Sequence, residues 1–575
     1  MTHSPQDKNF NWKIAGEAGH GVMLSSELMA RAAKRHGMNA FNYLEYPSLI
    51  RGGHQTGQVF ADFNHGYCQH RDLDVIVIYT QEGFEIHQDE ITDNTIIIYN
   101  TNFGELKPDI EQRWEDQLYQ LPLSTWAKDT AGTTLAANVV SLGVSAYVLG
   151  LDPDIFKQII ADQFAAKSQQ LVEKNQQAFD LGYSQAEQTL ESIKAIEPRS
   201  DNQILINGNE AVGLGALAAG IQFYSAYPMT PATGLLHFLS DHKDEYPLVV
   251  KQTEDEIGAI TEAIGASTAG VRAATGTSGG GFALMVEALS FAGMAEVPLV
   301  ILEGQRTGPS SGVPTWTAQA DLQFVLTAGH GDFPKVVLTP GSVEEHFQLA
   351  KQAFYLAEKY QLPVIILSDK YLLESHQTMP EPEPVHHNQR LSMVDDDKLG
   401  SDTKYLRYQH TKNGISPRTL PGQEYGLQLT NSYEHDQWGF ATEDAAEIKR
   451  AVDKRARKLE TLESELPKPQ LLGPKQAETT MVGWGSTVNV LRELLELAPE
   501  GSVNVIHLPC LLPFPAEKFR QLAEQASKLV MVEGNQSGQG ESLIRQETGV
   551  EMDDYIRRYD GRPFYAEDLL QYLQS

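Results

Sequence analysis

Cysteine is nearly absent: 575 residues contain two, Cys68 and Cys510. Two such distant thiols exclude a disulfide framework, a Cys-ligated zinc and an iron–sulfur cluster built from this chain alone, and they fit a reducing, cytoplasmic compartment. Basic residues are scarce too. Lys and Arg number 45 against 76 Asp and Glu, for a net charge of −31. Binding to nucleic acid or an anionic membrane rests on basic patches, so neither is expected, and the acidic excess reads as solubility. No long apolar run occurs either. The uncharged stretch 130–151 includes Thr130, Thr133, Thr134, Asn138, Ser141 and Ser145. Such polarity predicts a buried helix in a soluble domain rather than a membrane span. Met1 to Asn11 is polar, so no secretory signal is expected.

What remains is an ordinary globular composition, 41% hydrophobic and 21% charged. The length suggests about three or four domains. Apolar strands alternate with amphipathic helices, predicting an α/β class with several mostly parallel sheets. We expect a first α/β domain over 1–195 and a second over 200–375. An irregular linker or interface arm should follow over 376–470, then a C-terminal α/β domain over 471–575. In the first, the strand Asn11–Ala15 runs into Gly16-Glu17-Ala18-Gly19-His20-Gly21 and a helix. That is the geometry of a phosphate cradle or of a tight packing turn. Arg51, between Pro47 and Gly52-Gly53, reads as an anion binder or a surface ion pair. His386-His387 reads as a solvated polar face.

Residues 221–315 are the densest in chemistry. An apolar strand ends in Tyr227-Pro228-Met229-Thr230-Pro231, where two prolines stiffen the turn that carries Thr230. Gln252-Thr253-Glu254-Asp255-Glu256, Gly276-Thr277-Ser278-Gly279-Gly280-Gly281 and Glu303-Gly304-Gln305-Arg306-Thr307-Gly308-Pro309 follow later strands. Ligands of open α/β sheets bind at the carboxyl ends of strands, so these four loops outline a site.

The Tyr227–Pro231 block resembles the Tyr-Pro-Ile-Thr-Pro signature of the 2-oxoacid:ferredoxin oxidoreductases. Glu256-Ile257-Gly258-Ala259 with Gly265 and Gly270 resembles the family's glutamate-bearing helix. Arg306 resembles its substrate arginine, and Val532-Glu533-Gly534-Asn535-Gln536-Ser537-Gly538-Gln539 a block near the end of the same subunit. Gly16–Gly21 and Tyr46-Pro47-Ser48 with Arg51-Gly52-Gly53 resemble the gamma subunit. The order gamma then alpha is similar to the fused alpha subunits of the 2-oxoglutarate branch.

This resemblance implies a thiamine pyrimidine-binding domain, a transketolase C-terminal-like domain, and oxidative decarboxylation of a 2-oxo acid. Glu256 would lie beside N1′ of the aminopyrimidine, with Glu254 and Asp255 as rivals on spacing, and Tyr227 and Pro228 would line the cofactor. Arg306 would bind the substrate carboxylate, Thr230 would donate its hydroxyl, and Thr315 and Arg51 are further substrate candidates. Coenzyme A is the implied acyl acceptor. No Gly-Asp-Gly with a downstream Asn pair occurs, so no metal ligand is assigned to this chain. Thiamine diphosphate, Mg2+ and [4Fe-4S] would then depend on a beta subunit, in an (alpha-beta)2 heterotetramer serving ferredoxin. The expected substrate is 2-oxoglutarate. Pyruvate, branched-chain or aryl 2-oxo acids are the alternative, and a non-catalytic α/β scaffold is the rival class.

Overall fold

The computed structural model describes residues 9–48, 52–383, 390–401 and 404–575. Arg51 and His386-His387 lie outside them. Met1–Ile206, Ser375–Glu381 and Tyr565–Ser575 form one compact unit, and Asn207–Glu374 with Pro382–Phe564 a second.

The first unit is built on eight strands: β1 (Asn9–Glu17), β2 (Asn39–Glu45), β3 (His54–Asp62), β4 (Val75–Ile78), β5 (Ile96–Asn100), β6 (Leu118–Leu121), β7 (Gln203–Asn207) and β14 (His376–Pro380). Their spatial order is β6-β5-β4-β1-β3-β2-β14-β7. From β1 through β4 and β5 to β6 the ladder is parallel, whereas β3 and β2 run antiparallel. β7 departs from expectation. Its Ile-Leu-Ile run groups by sequence with the strands that follow it, yet it closes this first sheet. An apolar run specifies a strand but not its partner.

The uncharged stretch 130–151 contains the buried helix Ala137–Val148, packed on the helix Gln169–Thr189. The contact is backbone to backbone. A Cβ on Gly143 would sit 2.2 Å from the Phe179 carbonyl oxygen, and one on Gly182 would sit 2.1 Å from that of Val140. Among the described residues no helix is long and apolar enough to cross a membrane.

The second unit has two sheets. The larger comprises β8 (Phe223–Ala226), β9 (Val249–Gln252), β10 (Ala273–Thr277), β11 (Leu299–Gln305), β12 (Val336–Leu338), β13 (Pro363–Asp369) and β18 (Cys510–Leu512), ordered β18-β12-β13-β11-β10-β8-β9. All its pairs are parallel except β12 with β18. β10, β11 and β13 are buried along their whole length, as a sheet covered on both faces requires. The smaller sheet takes β15 (Gln470–Leu472), β16 (Thr479–Gly483), β17 (Val503–His507), β19 (Leu529–Glu533) and β20 (Asp554–Arg557), in the order β15-β17-β16-β19-β20. The α/β reading of the chain is thus correct.

A buried charge cluster ties the helix Ala445–Leu462, and Arg407 of the irregular segment before it, to Glu296. Glu296, 1% exposed, meets Lys454 at 2.5 Å and Lys458 at 2.6 Å. Arg407 donates to its backbone carbonyl at 2.8 Å. Burial pushes the Glu296 carboxyl up, but Lys454, Lys458 and Arg407 overturn that and hold it below the usual range. Glu296→Ala would strand buried cations and is expected to cost about 3–5 kcal/mol in denaturant unfolding. A depressed folded pKa means the stabilisation is complete above the unfolded value, ~4.3, and is lost as pH falls further. Unchanged acid stability in Glu296→Ala would refute this.

Candidate active site

β8, β9, β10 and β11 are adjacent and parallel, so the loops leaving them emerge at one edge. The turn after β8 is clamped from two sides. Asn209 donates its side-chain amide to the Pro231 carbonyl at 3.0 Å and to that of Leu373 at 2.9 Å. Beneath the turn, a Cβ on Gly304 would approach Pro231 Cγ to 2.9 Å, so only glycine lets the proline ring lie on β11. Arg306, the first residue past β11, donates Nη1 to the Thr230 carbonyl at 2.8 Å. Thr230 and Arg306 are therefore brought together, although it is the threonine backbone, not its hydroxyl, that makes this contact.

The three acids after β9 are sorted by geometry. Asp255 is the N-cap of the helix Glu256–Thr268, its carboxylate accepting from Gly258 N at 2.7 Å. Glu254 is exposed. Glu256, at the first helical position, is 4% exposed, and its carboxylate makes no hydrogen bond or ion pair with any described residue. A nearly buried carboxylate without an internal partner is costly, which marks it as a group kept for a ligand. It lies over the start of the helix Gly279–Met294. A Cβ on Gly281 would fall 2.6 Å from Glu256 Oε1 and 2.1 Å from Thr277 Oγ1. Met229, within the proline turn, places its sulfur 3.9 Å from Thr277 Oγ1, which links the two halves of the site. Tyr227 is 38% exposed on the turn. Thr315 is buried with an unpartnered Oγ1.

Sequence reasoning missed three acids around Arg306. Glu303 and Asp369 are fully buried on β11 and β13, and Asp321 is half-buried under Gly279. Burial pushes the Glu303 carboxyl well up, and Asp321 and Asp369 push it further, against Arg306. Asp321 and Asp369 are each pushed up to about 6, chiefly by burial. Burial in turn lowers the Arg306 pKa, opposed by Asp321 and Glu303. The available signal was a glutamate inside an otherwise apolar strand.

The Val532–Gln539 block has a legible job. Gly534 N donates to Gln319 Oε1 and Gln319 N to the Gly534 carbonyl, both at 2.8 Å, while Asn535 Nδ2 reaches the Gln319 carbonyl at 3.0 Å. Glu533 orients Asn535 at 2.7 Å. The block fastens the loop that carries Arg306 and Thr315.

Comparison with known proteins agrees with this geometry. Residues 214–454 match the family described as pyruvate flavodoxin/ferredoxin oxidoreductase, thiamine diP-bdg, and residues 11–185 match pyruvate ferredoxin/flavodoxin oxidoreductase. A 2-oxoacid:ferredoxin oxidoreductase subunit alpha from Sulfolobus sp is 32% identical over 98% of this chain and 96% of its own. A 2-oxoglutarate synthase subunit KorA from Methanothermobacter thermautotrophicus is 30% identical over 64% of this chain and 98% of its own. The structure of 2-oxoglutarate:ferredoxin oxidoreductase from Magnetococcus marinus, with 2-oxoglutarate, coenzyme A and succinyl-CoA bound, superposes with a TM-score of 0.91 at 30% identity, covering 99% of both chains. The chain belongs to the alpha subunits of the 2-oxoacid:ferredoxin oxidoreductases.

Proposed function

We propose that this chain supplies the pyrimidine side of a thiamine diphosphate site in a coenzyme A-dependent 2-oxoglutarate:ferredoxin oxidoreductase, converting 2-oxoglutarate to succinyl-CoA and CO2. The observation that carries this reading is Glu256, a nearly buried carboxylate with no internal partner, set against Gly281 at the start of the helix Gly279–Met294. Those residues fit the aminopyrimidine ring. The chemistry contributed by thiamine diphosphate is an electron sink for loss of the substrate carboxylate as CO2. Glu256 would hold a proton at ring N1′, Tyr227 and Pro228 would line the ring, and Arg306 would pair with the C1 carboxylate. Thr230 directs its hydroxyl at the same end of the substrate, and the free Thr315 hydroxyl lines the wall.

A beta subunit completes the site with the diphosphate and Mg2+ ligands and the [4Fe-4S] cluster. The assembly is an (alpha-beta)2 heterotetramer in the cytoplasm, passing electrons to ferredoxin. Val249 on the edge strand β9, Ile257 beside Glu256 and Leu284 on the adjoining helix are 58%, 49% and 52% exposed. Large apolar side chains left open around a catalytic cleft suit a subunit interface. The names of the Methanothermobacter and Magnetococcus relatives support 2-oxoglutarate over pyruvate, and Arg51 is the candidate for its distal carboxylate.

The test is a substrate panel with a viologen acceptor and coenzyme A. The isolated chain is expected to show no turnover, and the complex co-purified with its beta subunit should favour 2-oxoglutarate. Activity of the chain alone would sink the half-site reading. Arg51→Ala with unchanged preference for 2-oxoglutarate over pyruvate would remove Arg51 from it.

A further inference from the structure

Glu303 occupies an unfavourable position for a carboxylate, on the central strand β11 between β10 and β13. It is 0% exposed, and neither of its oxygens has a hydrogen-bond partner. The strand register shows what surrounds it. Glu303 lies opposite Thr277 on β10 and Leu367 on β13, and Gln305 lies opposite Asp369. Side chains two residues apart share a face, so Glu303 and Asp369 are diagonal neighbours on one face of adjacent strands, within mutual reach of long side chains.

Asp369 is 1% exposed, and its Oδ2 also has no partner, while Oδ1 accepts from Thr317 Oγ1 and Leu372 N, each at 3.3 Å. The remaining charged groups that act on Glu303 are Asp321, beside the helix Gly279–Met294, and Arg306, past the strand end. Thr277 and Leu367 are uncharged.

Three ionised carboxylates around one guanidinium would repel the anion that Arg306 is there to bind. Two buried carboxyls with vacant oxygens satisfy each other when the hydroxyl of one donates to the other. We propose that Glu303 and Asp369 share one proton beneath Arg306, so that the pair sets one negative charge rather than two against the guanidinium that binds the carboxylate of the 2-oxo acid. This rests on the role given to Arg306 above. Burial raises the pKa of both acids, and for Glu303 the Asp321 and Asp369 carboxylates add to it, in agreement with a retained proton. Glu303 is then a positioning residue: it touches no substrate and acts through the arginine.

The sign of the pH effect follows. As pH rises, the shared proton leaves, the charge of the pair goes from one negative to two beside Arg306, and the apparent KM for the 2-oxo acid climbs by up to about tenfold per pH unit. In Glu303→Gln no such proton exists, and KM stays level over the same range. Asp369→Asn serves as the second variant if Glu303→Gln fails to assemble.

The experiment measures KM and kcat against pH for the alpha–beta complex and both variants, together with infrared difference spectra across the same titration. We expect a buried neutral carboxyl band in the native complex that disappears on alkalinisation and is missing in Glu303→Gln. Superimposable KM profiles for native and variant complexes, or no such band, would overturn the shared proton. A complex that turns over no 2-oxo acid would fail the functional reading separately, because the infrared band still reports on the pair.

Discussion

Glu256→Gln is expected to lower kcat of the assembled enzyme by about 10²–10⁴-fold, the range associated with losing a positioned acid–base group. The amide keeps the shape of the side chain but cannot exchange a proton with the pyrimidine ring. The fold should be little affected: the amide has the size of the native side chain, and no described residue loses a hydrogen bond in the exchange, so thermal stability should hold. Asp255→Ala provides the contrast: the lost N-cap should cost about 1 kcal/mol of stability while turnover is kept. This pair of variants separates an enzyme from a scaffold. A scaffold's partner complex would be indifferent to Glu256→Gln, and turnover still above about a tenth of native would dismiss Glu256 as the essential acid.

Arg306→Ala is expected to reduce kcat/KM for the 2-oxo acid by about 2–4 kcal/mol, or ~30–1000-fold, as for other partly buried charge pairs that lose one member. The guanidinium already donates one N–H to the Thr230 carbonyl, which fixes its plane and leaves other N–H groups for a carboxylate. Lysine carries the charge without that fork, so Arg306→Lys should recover only part of the loss. Thr230→Ala should be milder, because the carbonyl that holds the arginine survives the change. If Arg306→Ala shifts kcat/KM by less than about tenfold, the substrate carboxylate is held elsewhere.

Much of this was readable from residue order. The alternation of apolar strands and helices gave the α/β class. The prolines of Tyr227–Pro231 marked a strand-end turn, and spacing favoured Glu256 among its acidic neighbours, which the capping of Asp255 and the exposure of Glu254 support. Pairing was not readable. Gln203–Asn207 has the pattern of a buried strand, and nothing in it says which sheet takes it. Nor was the Glu303–Asp369 juxtaposition, since 66 residues separate the two and only the parallel register of β11 and β13 sets them on one face. The clamp formed by Val532–Gln539 was visible as a motif, but its target, Gln319, was not: loop-to-loop hydrogen bonds leave no periodic trace in either segment.

That clamp bears on modularity. The small C-terminal sheet looks interchangeable, a self-contained ladder of β15 to β20 without β18. Yet Gln319 and Gly534 exchange two hydrogen bonds, one backbone to backbone and one from Gly534 N to the Gln319 side-chain oxygen, and Asn535 adds a third. A chimera that imported this sheet from a relative would inherit the specificity of its own loop only if position 319 and the Gly534-Asn535 pair travelled together. The boundary for domain shuffling therefore runs through the loop that carries Arg306 and Thr315 rather than between the two sheets.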